Sequence, residues 1–321
     1  MPVPLRGTGG FNSVEDKGTY DRKMLARAVP RFVHGQFGLK ATIPPRGGTW
    51  VEWRRMEYLG ATTTAIVEGT LPTSETIPTV TTVVATVAQY AQYFRSTDLV
   101  NDQAYDPIVA EATEALGEAM GDSLDQLTRN IITAGTTVQY AGPAASRGGI
   151  GSGLRLNSAE IREALATLET NNAQPQGGVF PTIIHTRTKY DLFGDTNITN
   201  AFLYAYNRGG DNPLATGRLG NYLGAEFHVT SNARIFSSLG LSGTNVYATL
   251  VIGDSAYGVV GLTAQTARTY FKGVGTGGAT GDPVDQVWSL GWKANHAAAI
   301  LNQNWLVRIE HSVQLDPGYG G

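Results

Sequence analysis

Between residues 106 and 135 two stripes of opposite character run along the chain. Val109, Ala112, Leu116, Met120, Leu124, Leu127 and Ile131 recur every three or four residues. Glu111, Glu114, Glu118, Asp122 and Asp125 recur at the same spacing. A period near 3.6 predicts one long helix with an apolar face and an acidic ridge opposite it. Asp106 can cap its first turn, Pro107 suits the first helical position, and Gly135 supplies a left-handed stop. At ~1.5 Å per residue the helix is roughly 40 Å long. No Lys or Arg falls between Arg95 and Arg129. The ridge is therefore either a solvated face or a surface that needs a basic partner.

Ahead of it the period changes to two. TWVEWRRMEYL (49–59) and VTTVVATVAQYAQYF (80–94) read as long strands, joined by the Thr/Gly/Pro-rich stretch 60–79. Together they predict a protruding hairpin that carries Trp50 and Trp53. A lone two-stranded ribbon is marginal in water, so it either folds back on its own body or lies on a neighbour, and its coreless middle favours a neighbour. Residues 1–20 are polar and Gly-rich, and 21–33 suggest a short basic helix with Arg22, Lys23, Arg27 and Arg31.

After the long helix, residues 159–172 predict an amphipathic helix capped by Ser158, and FPTIIH (180–185) a buried strand. A short helix is expected around Tyr190–Phe193. Residues 194–245 read as loop with one strand at 224–231. VYATLVIG (246–253) is another buried strand, 272–283 a Gly-rich loop, and 285–301 and 304–315 a closing pair of strands. In the last of these Trp305, Val307 and Ile309 alternate with Arg308 and Glu310. Helices and strands are segregated, which predicts an α+β fold.

Composition narrows the function. Only 16% of the 321 residues are charged, few for a chain kept soluble by its own surface. The net charge of −3 hides a gradient, from +6 over residues 1–55 to −9 over the remainder. A basic arm on an acidic body is self-complementary. With no Cys, disulfides and thiolate chemistry are excluded. The start has no signal-peptide core, and no apolar run reaches the ~18 residues of a membrane span.

Candidate chemistry is thin. His34, His185, His228, His296 and His311 have no metal-ligand spacing. His185, at the end of an apolar strand, is expected to be the most buried. Gly253-Asp254-Ser255 follows a strand as a serine nucleophile would, but no base is paired with it, and a helix cap explains it. The GVGTGG run at 273–278 precedes no helix, so it is no dinucleotide site. The acidic ridge surrounds a cation poorly. Nothing marks a stacking platform for nucleic acid. No catalytic residue, metal or cofactor is expected.

Four blocks carry a resemblance: EWRRMEYL (52–59), TDLVNDQAYDPIVAEATEALGE (97–118), RNIITAGTTVQYAG (129–142) and GWKANHAAAILNQNWLVRIEHS (291–312). The chain resembles the tailed-bacteriophage major capsid proteins, and is most similar to the group typified by coliphage N-four. The resemblance implies the Hong Kong 97-type (HK97-like) major capsid fold. That fold would have an N-terminal arm (1–47), an extended loop (48–97) and a peripheral domain (98–180) with its spine helix at 107–134. An axial domain (181–283) and closing strands of the peripheral domain (284–321) would follow.

It implies a subunit that assembles as pentamers and hexamers into an icosahedral or prolate shell around a double-stranded DNA genome, in the host bacterial cytoplasm. A separate scaffolding protein, a portal and a cementing protein are the implied partners. Inter-subunit contacts are expected from Arg22, Lys23, Arg27, Arg31, Trp50, Trp53, Glu111, Glu114, Glu118, Asp122 and Asp125, with the arm of one subunit on the helix of another. Some shells of this fold join subunits by a Lys–Asn bond from the extended loop. Residues 48–97 contain no Lys, so none is expected. An encapsulin-like cellular compartment of the same fold is the alternative, and an enzyme a remoter one.

Overall fold

The computed structural model describes residues 33–71, 76–103, 108–207, 219–262, 267–275 and 285–316. In chain order the strands are β1 (Leu39–Ile43), β2 (Trp50–Met56), β3 (Val80–Thr86), β4 (Ala88–Thr97), β5 (Val138–Tyr140), β6 (Phe180–His185), β7 (Asn221–Tyr222), β8 (Ala225–Thr230), β9 (Ile235–Phe236), β10 (Val246–Ile252), β11 (Tyr257–Leu262), β12 (Ala267–Lys272), β13 (Val287–Ile300) and β14 (Leu306–His311). The helices are α1 (Asp98–Gln103), α2 (Ile108–Ile132), α3 (Ser158–Thr170), α4 (Thr186–Gly194) and α5 (Thr196–Asn207).

The first sheet has five strands built on β13. β4 and β12 pair with the same β13 residues, so they flank it on opposite edges, and β11 continues the line of β12. The pleat of a strand divides β13 into two faces. Trp288, Leu290, Trp292 and Ala294 point to α2 and bury Leu116 and Met120, with Val109, Ala112 and Leu124 alongside. This is the apolar stripe of the long helix, and each such side chain removed from water contributes about 1.5–3 kcal/mol.

The second sheet has seven strands, in the order β5-β14-β10-β6-β8-β7 with β9 beside β10. β6, β10 and β14 are buried along their whole length. Leu156, Ile161, Leu165 and Leu168 of the α3 region, Leu192 of α4, and Ile198 and Phe202 of α5 cover it. A third cluster joins the sheets, with Ile183, Leu250, Ile252 and Leu306 meeting Tyr257, Val259 and Ile300 around Ile132 of α2.

β2 and β3 pair antiparallel as the expected hairpin, from Trp50 opposite Thr86 to Met56 opposite Val80. The expected strand 80–94 is interrupted, because β3 belongs to the hairpin and β4 to the first sheet. The hairpin is not wholly free of its own body. Val51, Trp53, Ala85 and Val87 pack on Ile43, Val260 and Ala297. Trp53 needs glycine beneath it, since a Cβ on Gly258 would lie 2.6 Å from the indole.

Other expectations are corrected. Gly135 is not left-handed. The helix ends instead in tight turns, Ala134 N–H to Ile131 O and Gly135 N–H to Ile132 O. Asp106 and Pro107 lie outside the described residues. The cap of α3 is Asn157, which accepts from Ala159 and Glu160 N–H at 2.8 and 3.1 Å; Ser158 is already helical. Residues 194–245 hold α5, β7 and β9 besides the expected β8. β1 and β12 carried no clear pattern. The closing strands do not pair: β13 joins the first sheet and β14 the second. Sheet membership therefore groups β5 and β14 with β6–β10, and β11–β13 with β4. Gly253–Ala256 is a tight turn between β10 and β11, closed by Ala256 N–H to Gly253 O, and caps no helix.

Candidate assembly surfaces

The acidic ridge does not face water along its length. Asp125 is fully buried. Its Oδ1 accepts the backbone N–H groups of Val33 and His34 at 2.8 and 2.7 Å, and its Oδ2 accepts His34 Nδ1 at 2.8 Å. Asn232, in the turn after β8, donates its amide to Asp122 at 2.6 Å and to Asp125 at 3.3 Å, and its carbonyl accepts from Arg129. Burial would raise the Asp125 carboxyl, but the His34 contacts and Asn232 outweigh it and hold it below its usual value. The helical wheel set Asp125 on the acidic ridge and missed that another segment covers it.

That segment begins at Val33, where the described chain starts. The His34 carbonyl accepts the Tyr257 hydroxyl, and the Tyr257 ring fills the space a side chain on Gly38 would need. Burial pushes the Tyr257 hydroxyl well above its ordinary pKa, so it remains a donor. Residues 33–38 are thus fixed against α2 and β11. Arg22, Lys23, Arg27 and Arg31 lie outside the described residues. Glu111 lies on α2, while Glu114 and Glu118 are half-buried and engaged.

The C-terminal end of α2 is held by a second buried charged group. Arg308 and Glu310 alternate with apolar residues along β14, yet they are 8% and 0% exposed. Glu310 accepts a bidentate pair from Arg147, at 2.8 and 2.6 Å, and Arg308 Nε at 2.8 Å. Arg308 Nη1 donates to the carbonyls of Thr133 and Gly135. A cation here satisfies end carbonyls and complements the helix dipole, so no left-handed glycine is required. The Arg147 guanidinium also stacks 3.6 Å over Phe236.

The histidines are structural in their contacts. His34 and His311 are fully buried, more so than His185, which caps α4 by accepting Arg187 N–H. Among the described residues no group of three or more His, Asp or Glu side chains is placed to hold a metal. Residues 276–278 of the GVGTGG run lie outside the described residues.

The hairpin tip is the most exposed apolar segment described. Tyr58, Leu71 and Ile77 are 88%, 96% and 84% exposed, and Ile66 and Val67 are also in solvent. Trp50 is exposed at the hairpin's edge, whereas Trp53 is half-buried against its own body.

A protein-family model described as "Phage capsid protein" matches residues 79–309. No curated protein matches the chain. Among solved structures, the capsid of cyanophage Pam1 is similar at 15% identity, with a TM-score of 0.67 over 98% of this chain and 97% of that one. The acid-stable capsid of Helicobacter pylori bacteriophage KHP30 is similar at 10% identity, with a TM-score of 0.67 over 97% and 94%. The capsid of cyanophage P-SCSP1u is similar at 15% identity, with a TM-score of 0.66 over 88% of each chain. These likenesses show the α+β, Hong Kong 97-like fold.

Proposed function

This chain belongs to the phage capsid protein family, and from that premise we propose that copies of it close into an icosahedral or prolate shell of pentamers and hexamers around a double-stranded DNA genome. It is a major capsid protein, a structural component of the virion and not an enzyme. The observation that carries the assembly reading is the hairpin tip. Its apolar side chains, from Tyr58 to Ile77, touch too little of their own chain to be stable in water. Laid across a neighbouring copy they become buried, and many such contacts over a closed lattice make a stable particle.

The coliphage N-four-type group is the proposed placement within the family, with assembly in the host bacterial cytoplasm. A separate scaffolding protein, a portal and a cementing protein are the proposed partners. No observation favours the encapsulin alternative.

Negative-stain electron microscopy and light scattering of the purified full chain test the proposal. Closed particles are expected. A monodisperse monomer across a wide concentration series, with no particle formed, overturns it. Because residues 48–97 lack Lys, the same particles should dissociate to one monomer band on a denaturing gel; a ladder of covalent multimers would contradict this.

The basic arm is proposed to reach the acidic helix of another subunit, although Asp122 and Asp125 are engaged at home and Glu114 and Glu118 are half-buried with partners of their own. Reversing Arg22, Lys23 and Arg27 to Glu should then impair assembly at low salt. Normal assembly of that variant would rule out an electrostatic role for the arm.

A further inference from the structure

The first sheet ends differently on its two sides. On one side β12 and β1 lie outermost, and on the other β4 does. An outermost strand offers unpaired N–H and C=O groups, and charged side chains, Lys above all, guard such an edge against pairing with another chain. β12 carries Arg268 and Lys272, and β1 carries Lys40, all three exposed. β4 reads AQYAQYFRST, with no Pro and no charge from Ala88 to Phe94. Among the described residues this ten-residue strand pairs with β13 alone. Ala88, Gln89, Ala91, Gln92 and Tyr93 are exposed along it.

Tyr90 and Phe94 pack toward α2, so Gln92, midway between them and paired with Trp292, shares that face. Gln89, Ala91, Tyr93 and Arg95 belong to the opposite face. Beside Gln92 a cleft of about 390 Å³ opens between β4 and α2, walled by Tyr90, Ser123, Gln126, Asn130 and Trp292. Trp292 is 3% exposed, and its indole N–H has no acceptor among the described residues. A buried donor without an acceptor is destabilising, and an acceptor arriving over β4 would relieve it.

We propose that β4 of a second copy adds to this edge antiparallel, about a two-fold axis, and joins the five-stranded sheets of two copies into one. An axis perpendicular to the sheet keeps each face on its own side, so a residue can pair only with one of its own face. The register centred on Gln92 sets Gln92 against itself, Tyr90 against Phe94, Ala91 against Tyr93 and Gln89 against Arg95. Two aromatic pairs then lie on the α2 face, and no like charges are opposed. Gln89 donates its amide to Asn295 at 3.3 Å, which leaves its carbonyl to accept from Arg95 of the second copy. Gln92 of the second copy stands two strand spacings, ~10 Å, from Trp292 on the same face, so its amide carbonyl can serve the free indole N–H. The β12 edge is a poorer match, because Arg268 and Lys272 would lie beside Arg95. The proposal goes beyond the shell reading by stating where two copies meet, and it does not require a closed particle.

Cross-linking of the full chain tests it. The sequence has no Cys, so Gln92→Cys introduces a single thiol. The axis sets that thiol against its own copy at a Cα separation of about 4.5–5.5 Å, within disulfide reach. Mild oxidation should give a disulfide-linked dimer on a non-reducing gel at least ten times faster than the control Arg268→Cys on β12. Charge supplies the second arm. Gln92→Lys and Gln92→Glu each oppose like charges on the axis and should raise the concentration needed for association at least tenfold. The two variants mixed in equal amounts should recover most of the loss, and because the chains are unchanged by mixing, that recovery is independent of any effect on folding.

Equal cross-linking at the two positions, or no recovery in the mixture, overturns the proposal while the shell function stands. A thiol at position 92 that is shielded from alkylation but not linked to its own copy would assign the edge to another occupant, residues 1–32 or a different protein, and also overturn it. If position 92 links and the unaltered chain forms no particle, it is the shell reading that fails.

Discussion

Replacing Glu310 with Ala should destabilise the fold by about 3–5 kcal/mol, the magnitude typical of leaving a buried charge without its partner. Glu310 has no exposed surface and accepts from both Arg147 and Arg308. Arg308 in turn holds the end carbonyls of α2. Removal of the carboxylate strands Arg308 inside the protein and loosens the junction of α2 with the second sheet. Glu310→Gln keeps one acceptor and should cost less, about 1–3 kcal/mol. Urea unfolding of the chain held below its assembly concentration gives both values. The pairwise origin is checked with Arg308→Met. The double variant Arg308→Met/Glu310→Ala should lose less than the two single losses added together. Full additivity would mean the ion pair is not what holds this end of the helix.

Acid should unfold the protein well above the range in which carboxylates titrate. Burial pulls His296 and His311 from 6.5 down to about 4. His311 donates Nδ1–H to the Ser312 carbonyl and has Thr249 Oγ1 3.0 Å from Nε2. His296 lies 2.9 Å from the Thr128 hydroxyl of α2. Both are neutral in the fold. Between pH 6.5 and about 4 the unfolded chain binds the protons that the folded chain refuses, so stability falls as pH is lowered through that window. Each residue costs the fold roughly 3 kcal/mol by the lower end. His185 and His228, also pulled down by burial, act in the same direction. Asp125 is lowered instead, so its stabilisation is complete above the normal carboxylate range and is lost only below it. The urea midpoint should therefore drop steeply between pH 7 and 5, and His296→Gln should flatten that slope. A midpoint independent of pH over this interval would contradict the burial of these imidazoles.

Local pattern carried most of the secondary structure. The stripe from Val109 to Leu124 was legible because a helix face must repeat at its own pitch, and it does bury on β13. The hairpin strand from Trp50 to Met56 and the buried strands β6 and β10 were legible from composition and apolar runs. Strands with mixed composition, such as β1 and β12, and the Thr/Asn-rich α5 were not, because their neighbours rather than their own propensities hold them.

The chain's own letters determined periodicity, hence which residues share a face, and the resemblance to its family. Only the tertiary structure decided which faces are wet. Arg308 and Glu310 alternate with apolar residues as a solvated face would, yet the packing of α2 and residue 147 covers them. Asp125 sits on the polar side of its helix, and the chain from residue 33 closes over it. Residues 91–95, 268–272 and 289–293 become neighbours only through strand pairing. Periodicity is a property of adjacent residues, whereas burial depends on segments distant in sequence.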